Sequence, residues 1–205
     1  MDAAAFWDRA AEAYARRRIS DPGAYEAALA RVKSRLRPED RVLELGCGTG
    51  STALRLAPCV ATYVGTDLSG AMIAIAEEKR RTAAQGNLSF RQAGVARAAT
   101  PGEDVDAVLA FNLLHLLPDL AKGLGSMRDV LRPGGVFISK TPAIGEKWRY
   151  RPVVAAMRAL GKLPAMSLLK VAQIDRAISE AGFEILETDL LPPSLPSRFV
   201  VARKR

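Results

Sequence analysis

The 205 residues are 49% hydrophobic and 25% charged, enough apolar surface for one sizeable core, short for two domains and a linker, and unlike a disordered chain. No window reaches the roughly 18 uninterrupted apolar residues of a membrane span, and the start lacks the basic-then-apolar pattern of an export signal, so a cytoplasmic chain is expected. The net charge of +8 admits nucleic acid, an anionic membrane surface, an anionic small molecule or only a solvated basic surface; two cysteines, Cys47 and Cys59, are too few for a disulfide framework or a zinc site.

Along the chain, Phe6, Trp7, Ala10 and Tyr14 fall near one face of a helix over 3–18, with Arg16 to Arg18 in its last turn. Asp21-Pro22 caps and opens a second helix to about Leu36, so residues 1–37 form a helical cap ahead of the first strand. Apolar runs of strand length then alternate with helical patterns: strand 41–45, a helix to about 57, strand 60–66, helix 69–84, strands 88–92 and 105–111, helix 118–131 and strand 135–140. That alternation predicts an α/β fold with a parallel sheet between two helical layers. Gln173 to Ala181 reads as a helix stopped by Gly182, and 183–190 and 198–203 as a hairpin at the sheet end, its turn containing Pro192, Pro193 and Pro196. The segment 142–172 breaks the rhythm, and from Lys147 to Lys170 it holds six basic residues and no acidic one.

The stretch Val42-Leu-Glu-Leu-Gly-Cys-Gly-Thr-Gly50 ends a strand in Gly-x-Gly-x-Gly and turns into a helix. Bare backbone at the carboxyl end of a parallel strand is where such sheets bind ligands. A nicotinamide dinucleotide would want Gly-x-Gly-x-x-Gly, but that third place is Ser51, and no Gly-Lys-Ser/Thr follows for a P-loop. Glu44 completes Glu-x-Gly-x-Gly-x-Gly, and Asp67 ends the next strand in Val64-Gly-Thr-Asp-Leu. With these residues the chain resembles the class I S-adenosylmethionine-dependent methyltransferases, in the small-molecule methyltransferase-domain group related to quinone biosynthesis. Gly65 to Met72, Asp104 to Asp119, Leu131-Arg-Pro-Gly-Gly-Val-Phe-Ile-Ser139 and Ile178-Ser-Glu-Ala-Gly-Phe183 are similar to further motifs of that group.

The resemblance implies one Rossmann-like, three-layer domain over 1–205: a mostly parallel seven-stranded sheet with an antiparallel last strand. It implies S-adenosylmethionine as cofactor, S-adenosylhomocysteine as product, no metal, and methyl transfer to a small, apolar or amphipathic acceptor. Asp67 would take the ribose hydroxyls, a bidentate contact that a carboxylate can make and a phosphate site would avoid. Gly46, Cys47, Gly48 and Gly50 would pass against the ribose and methionyl parts, with Leu68 and Met72 against the adenine. Glu44 reads either as part of that site or as a structural carboxylate held by loop amides, and Asp67 alternatively as a helix cap. Where the group usually has Gly-Asp-Ala after the third strand, this chain has Gly94-Val95-Ala96, and valine accepts no hydrogen bond from adenine. A non-catalytic, cofactor-binding paralogue is therefore the alternative reading.

His115, the single histidine, follows the fourth strand and would be the general base toward an acidic hydroxyl, or only a loop residue. Asn112 and Tyr14 are further cofactor candidates, against readings as a turn residue and plain packing. The segment 142–172, where the group varies, reads as a substrate lid with Trp148, Tyr150, Met157 and Met166 on its apolar side. A solvated helix pair capping the core or a dimer interface would give the same pattern. The expected partners are a small or lipid-like acceptor, peripheral contact with a membrane, and a monomer or homodimer. Nucleic acid ranks last, because the arginines are not interleaved with aromatics in one patch.

Overall fold

The computed structural model describes residues 2–19, 21–98, 104–191 and 196–205. Seven strands form one sheet in the order β3-β2-β1-β4-β5-β7-β6. These are β1 (Arg41–Leu45), β2 (Thr62–Asp67), β3 (Leu88–Gln92), β4 (Val105–Phe111), β5 (Leu131–Pro142), β6 (Phe183–Leu191) and β7 (Ser197–Lys204). β7 runs antiparallel to both β5 and β6, and the other pairs are parallel. The expected hairpin therefore forms, with its second strand inserted between β5 and the edge. Its turn at Pro192 and Pro193 lies outside the described residues.

Helices α1 (Ala3–Ala15), α2 (Pro22–Lys33), α3 (Ser51–Leu56) and α4 (Gly70–Thr82) precede β4; α5 (Leu120–Asp129), α6 (Tyr150–Ala159) and α7 (Val171–Glu180) follow it. Side-chain alternation in the strands serves two cores. Val42, Tyr63, Leu109 and Ile138 face Leu29, Val32, Ala53, Leu56 and Ala76 of α2, α3 and α4. Leu43, Leu45, Val108 and Phe137 face Leu124 and Met127 of α5 and Ile174 and Ile178 of α7. Burial on both sides of β4, from Ala107 to Ala110, is what a central parallel strand requires.

Element ends differ from the sequence reading where turns tighten. α1 stops at Ala15, leaving Arg16 as its cap and Arg17 and Arg18 beyond it. α2 stops at Lys33 because the amides of Arg35 and Leu36 bond three residues back, to Val32 and Lys33. β5 begins at Leu131, before the Gly-Gly pair, and its pairing with β4 shifts register between Val105 and Ala107. Asp21 caps α2 as expected, accepting from the Ala24 amide at 2.8 Å.

The segment between β5 and α7 is a closed excursion. At its neck the Gly145 amide donates to the Leu169 carbonyl at 2.9 Å and the Val171 amide to Glu146 Oε1 at 2.8 Å. Within it α6 has no buried residue, and Trp148 is 73% exposed.

Candidate functional site

The carboxyl ends of β1, β2, β4 and β5 open into a cavity of about 1240 Å³, closed on the other side by α1 and the start of α2. Its floor is the glycine loop. The Cys47 amide donates to the Thr66 carbonyl at 2.9 Å, tying the loop to β2. Gly48 has a left-handed φ of +55°, and a Cβ there would meet only Tyr14 Cε1, at 3.7 Å; backbone and cavity are in direct contact at that point. Lys79 of α4 braces the loop from behind, its Nζ 3.0 Å from the Thr49 carbonyl and hydroxyl and 3.1 Å from Ser51 Oγ.

Asp67 sits where β2 ends. One carboxylate oxygen accepts from the Gly48 amide and the other from the Ser69 amide, both at 2.9 Å. Burial pushes its pKa up, while those amides pull it down. Each oxygen keeps a further lone pair for a ligand hydroxyl. Ser69 rather than Asp67 caps α4, its hydroxyl accepting from the Met72 amide at 3.1 Å. The Ser69 hydroxyl in turn donates to Asp8 Oδ1 at 2.6 Å, and the Ala71 amide to the same oxygen at 3.1 Å. Asp8 thus fastens α1 over the cavity, with Trp7 edge-on to Tyr14 at 6.1 Å. The sequence offered no signal for Asp8 or Lys79, because their partners lie far along the chain.

The structure gathers most of the predicted residues at this cavity: Tyr14, Gly46, Cys47, Gly48, Asp67, Leu68, Met72, Gly94, Val95, Asn112 and His115 all line it. Glu44 and Gly50 do not. Glu44 alternates with Leu43 and Leu45, so it turns into the helix-covered face, where it is 2% exposed and accepts the Tyr63 hydroxyl at 2.9 Å. Burial raises it to about 8, so it is protonated at neutral pH, and the loop amides expected to hold it are not its partners. Gly50 serves packing: with φ at +72°, a Cβ would lie 2.6 Å from Phe90 Cζ. Trp148, Tyr150, Met157 and Met166 also lie off the wall, since α6 is carried outward and the segment contributes Pro164 and Ala165 instead.

On the opposite side, Asn112 has a left-handed φ of +54°, and its amide donates to the Lys140 carbonyl at 2.7 Å. His115 is 7% exposed, its Nδ1 lacks a partner among the described residues, and burial lowers it to about 4, so the imidazole is neutral. Its carbonyl accepts from the Ser167 amide at 2.7 Å, which ties the excursion to the loop after β4. Lys140, half-buried at the end of β5, was not singled out from the sequence; it lines the cavity beside Arg17, Arg18 and Asp21.

A nearly all-parallel sheet with one antiparallel strand inserted next to the edge, and a glycine loop facing an acidic residue across the first two strand ends, defines the class I methyltransferase fold. Residues 42–135 match the family described as "Methyltransferase domain". The chain is 28% identical over 154 residues to the ubiquinone biosynthesis O-methyltransferase of Paracidovorax citrulli, covering 72% of this chain and 65% of that protein. It superimposes with a TM-score of 0.80 on phosphoethanolamine N-methyltransferase 2 of Haemonchus contortus in complex with S-adenosyl-L-methionine, at 17% identity over 100% of this chain and 60% of that one. For YcgJ of Bacillus subtilis the TM-score is 0.74 at 17% identity, over 88% and 99%. These structural likenesses establish the fold. The chain spans less than two thirds of the length of the curated relatives it matches.

Proposed function

We propose that the chain is an S-adenosylmethionine-dependent methyltransferase acting on a small, apolar or amphipathic acceptor by in-line displacement. The observation that carries this reading is Asp67, pinned by two amides at the rim of an open glycine loop. That cradle suits vicinal ribose hydroxyls: donors meet a carboxylate already oriented, with no side chain above Gly48 but Tyr14. Leu68 and Met72 offer apolar contact to a base, and Val95 offers no acceptor, which leaves adenine recognition to backbone groups beside Gly94.

Bound there, S-adenosylmethionine supplies an electrophilic methyl group on a sulfonium. The chain's task is to hold the acceptor in line and keep water out. Asn112 and His115 face the cavity from the β4 side and position the acceptor. A buried imidazole near pKa 4 is a weak base, so proton removal by His115 is confined to acceptors that are already acidic. Outside the cavity, exposed Trp148, Val153 and Leu160 beside Arg149, Arg151 and Arg158 support contact of α6 with an anionic membrane surface, a source of amphipathic acceptors.

Isothermal titration with S-adenosylmethionine and S-adenosylhomocysteine tests the reading. Micromolar binding is expected, weakened at least about tenfold in Asp67→Asn and Asp67→Ala, or ~1.4 kcal/mol. Unchanged affinity in both variants, or no binding to a folded wild type, sinks it.

A further inference from the structure

Two lysines near the cavity have their pKa lowered by burial. Lys79 spends its donors on three oxygens of the glycine loop. Lys140 spends none: among the described residues its ammonium has no hydrogen bond and no ion pair. It stands at the end of β5, with Phe111 and Phe199 as its register partners on the neighbouring strands. A half-buried cation between aromatic neighbours forgoes hydration and makes no direct contact with an anion until a ligand supplies one.

The surrounding acids are already committed. Among the described residues Asp21 is the acid whose field reaches Lys140, and it makes no ion pair with it, its carboxylate instead capping α2 through the Ala24 amide. Asp119 caps α5 through the Lys122 amide and pairs with the Lys122 side chain, and Asp67 holds the Gly48 and Ser69 amides. Arg17 and Arg18 line the same cavity. The strand position fixes the role. The candidate cofactor cradle lies at β1 and β2, whereas Lys140 lies two strands away, past the β4 loop that carries Asn112 and His115. A ligand reaching Lys140 therefore occupies the acceptor side of the cavity.

We propose that the acceptor is an organic acid whose anionic group, carboxylate or phosphate, seats on the Lys140 ammonium. Its apolar body then lies toward Phe111 and Pro142, and its charge is met by Lys140. Calling the bound acid an acceptor rests on the methyl-transfer reading above; its binding to Lys140 does not.

The test titrates the full chain at neutral pH, with and without S-adenosylhomocysteine, with octanoate, octyl phosphate and octanol. The wild type is expected to bind one or both anions more tightly than octanol, the tighter of the two identifying carboxylate or phosphate. Lys140→Gln is expected to weaken the anion about tenfold or more and leave octanol unchanged, while Lys140→Arg retains most of the anion affinity. S-adenosylhomocysteine affinity should be the same in all three proteins. Octanol binding as tightly as the anions, no saturable anion binding, or a Lys140→Gln protein within about twofold of wild type overturns the proposal. Failure of S-adenosylhomocysteine to bind overturns the cofactor reading alone, because the anion titration without it still reports on Lys140.

Discussion

The two ends of the cavity are built in opposite ways. Where β1 and β2 end, almost every polar group has a partner before any ligand arrives: Asp67 holds two amides, Lys79 braces the loop, and Asp8 fastens α1 to α4. Where β4 and β5 end, Lys140 and His115 Nδ1 have no hydrogen-bond partner among the described residues, and the excursion carries a helix with no buried residue. The first end is preorganised and loses little on binding. The second gains its missing interactions from the molecule it binds.

Substitutions can break that contrast. The largest loss of stability is expected from Gly50→Ala, which forces a side chain into a left-handed φ of +72° and against Phe90 at 2.6 Å. Left-handed strain and overpacking together cost about 2–5 kcal/mol, to be read from the urea midpoint. Substituting Gly86, which has open space around it, should cost far less.

The next effects are opposed. Glu44 has its pKa raised from 4.5 to about 8. Between those values the folded chain holds a proton that the unfolded chain has released, so stability falls as pH rises. His115 has its pKa lowered from 6.5 to about 4; there the unfolded chain binds the extra proton, so stability rises with pH across that window. Between about pH 4.5 and 6.5 the two slopes offset each other. Glu44→Gln should therefore leave a rising profile and His115→Gln a falling one. Across the shared window each would change the difference in unfolding free energy by about 2–3 kcal/mol. Identical pH profiles in both variants would refute the assignment.

The smallest stability effect is expected on the excursion. Trp148→Ser combined with Leu160→Ser removes side chains that are 73% and 68% exposed, so unfolding should shift by no more than about 0.5 kcal/mol. Co-sedimentation with phosphatidylglycerol vesicles should nonetheless drop markedly. Equal pelleting of wild type and variant would mean that α6 meets no membrane.

The same division explains what was legible in the sequence. β1 through β4 and the glycine loop were readable because period, turn chemistry and spacing are local: 41–45, 88–92 and 105–111 coincide with the strands formed. Asp67 and the glycine loop could be read as parts of one site from their motifs, and the neighbouring ends of β1 and β2 bring Asp67 to the Gly48 amide. For Glu44 the sequence left two readings open, because its motif is contiguous with the loop while strand alternation buries its side chain against Tyr63. Trp148, Tyr150, Met157 and Met166 lie off the cavity wall, because an amphipathic pattern marks an apolar face without saying what lies against it. Lys140 and Asp8 carried no signal, since a lysine in a strand and an acid in a helix become informative only once their neighbours are known.

The neck of the excursion has a consequence for how such a chain diversifies. Glu146 and Val171 are joined by a hydrogen bond although 25 positions separate them, and Gly145 packs so tightly that a Cβ there would lie 2.4 Å from the Leu168 carbonyl oxygen. A segment closed at its base in this way is a cassette: it can be lengthened, shortened or exchanged while β5 and α7 keep their places. A graft at residues 147–170 would exchange the exposed face of α6 and the cavity contacts of Pro164 and Ala165 while leaving the strand ends that carry Asp67 and Lys140 in place.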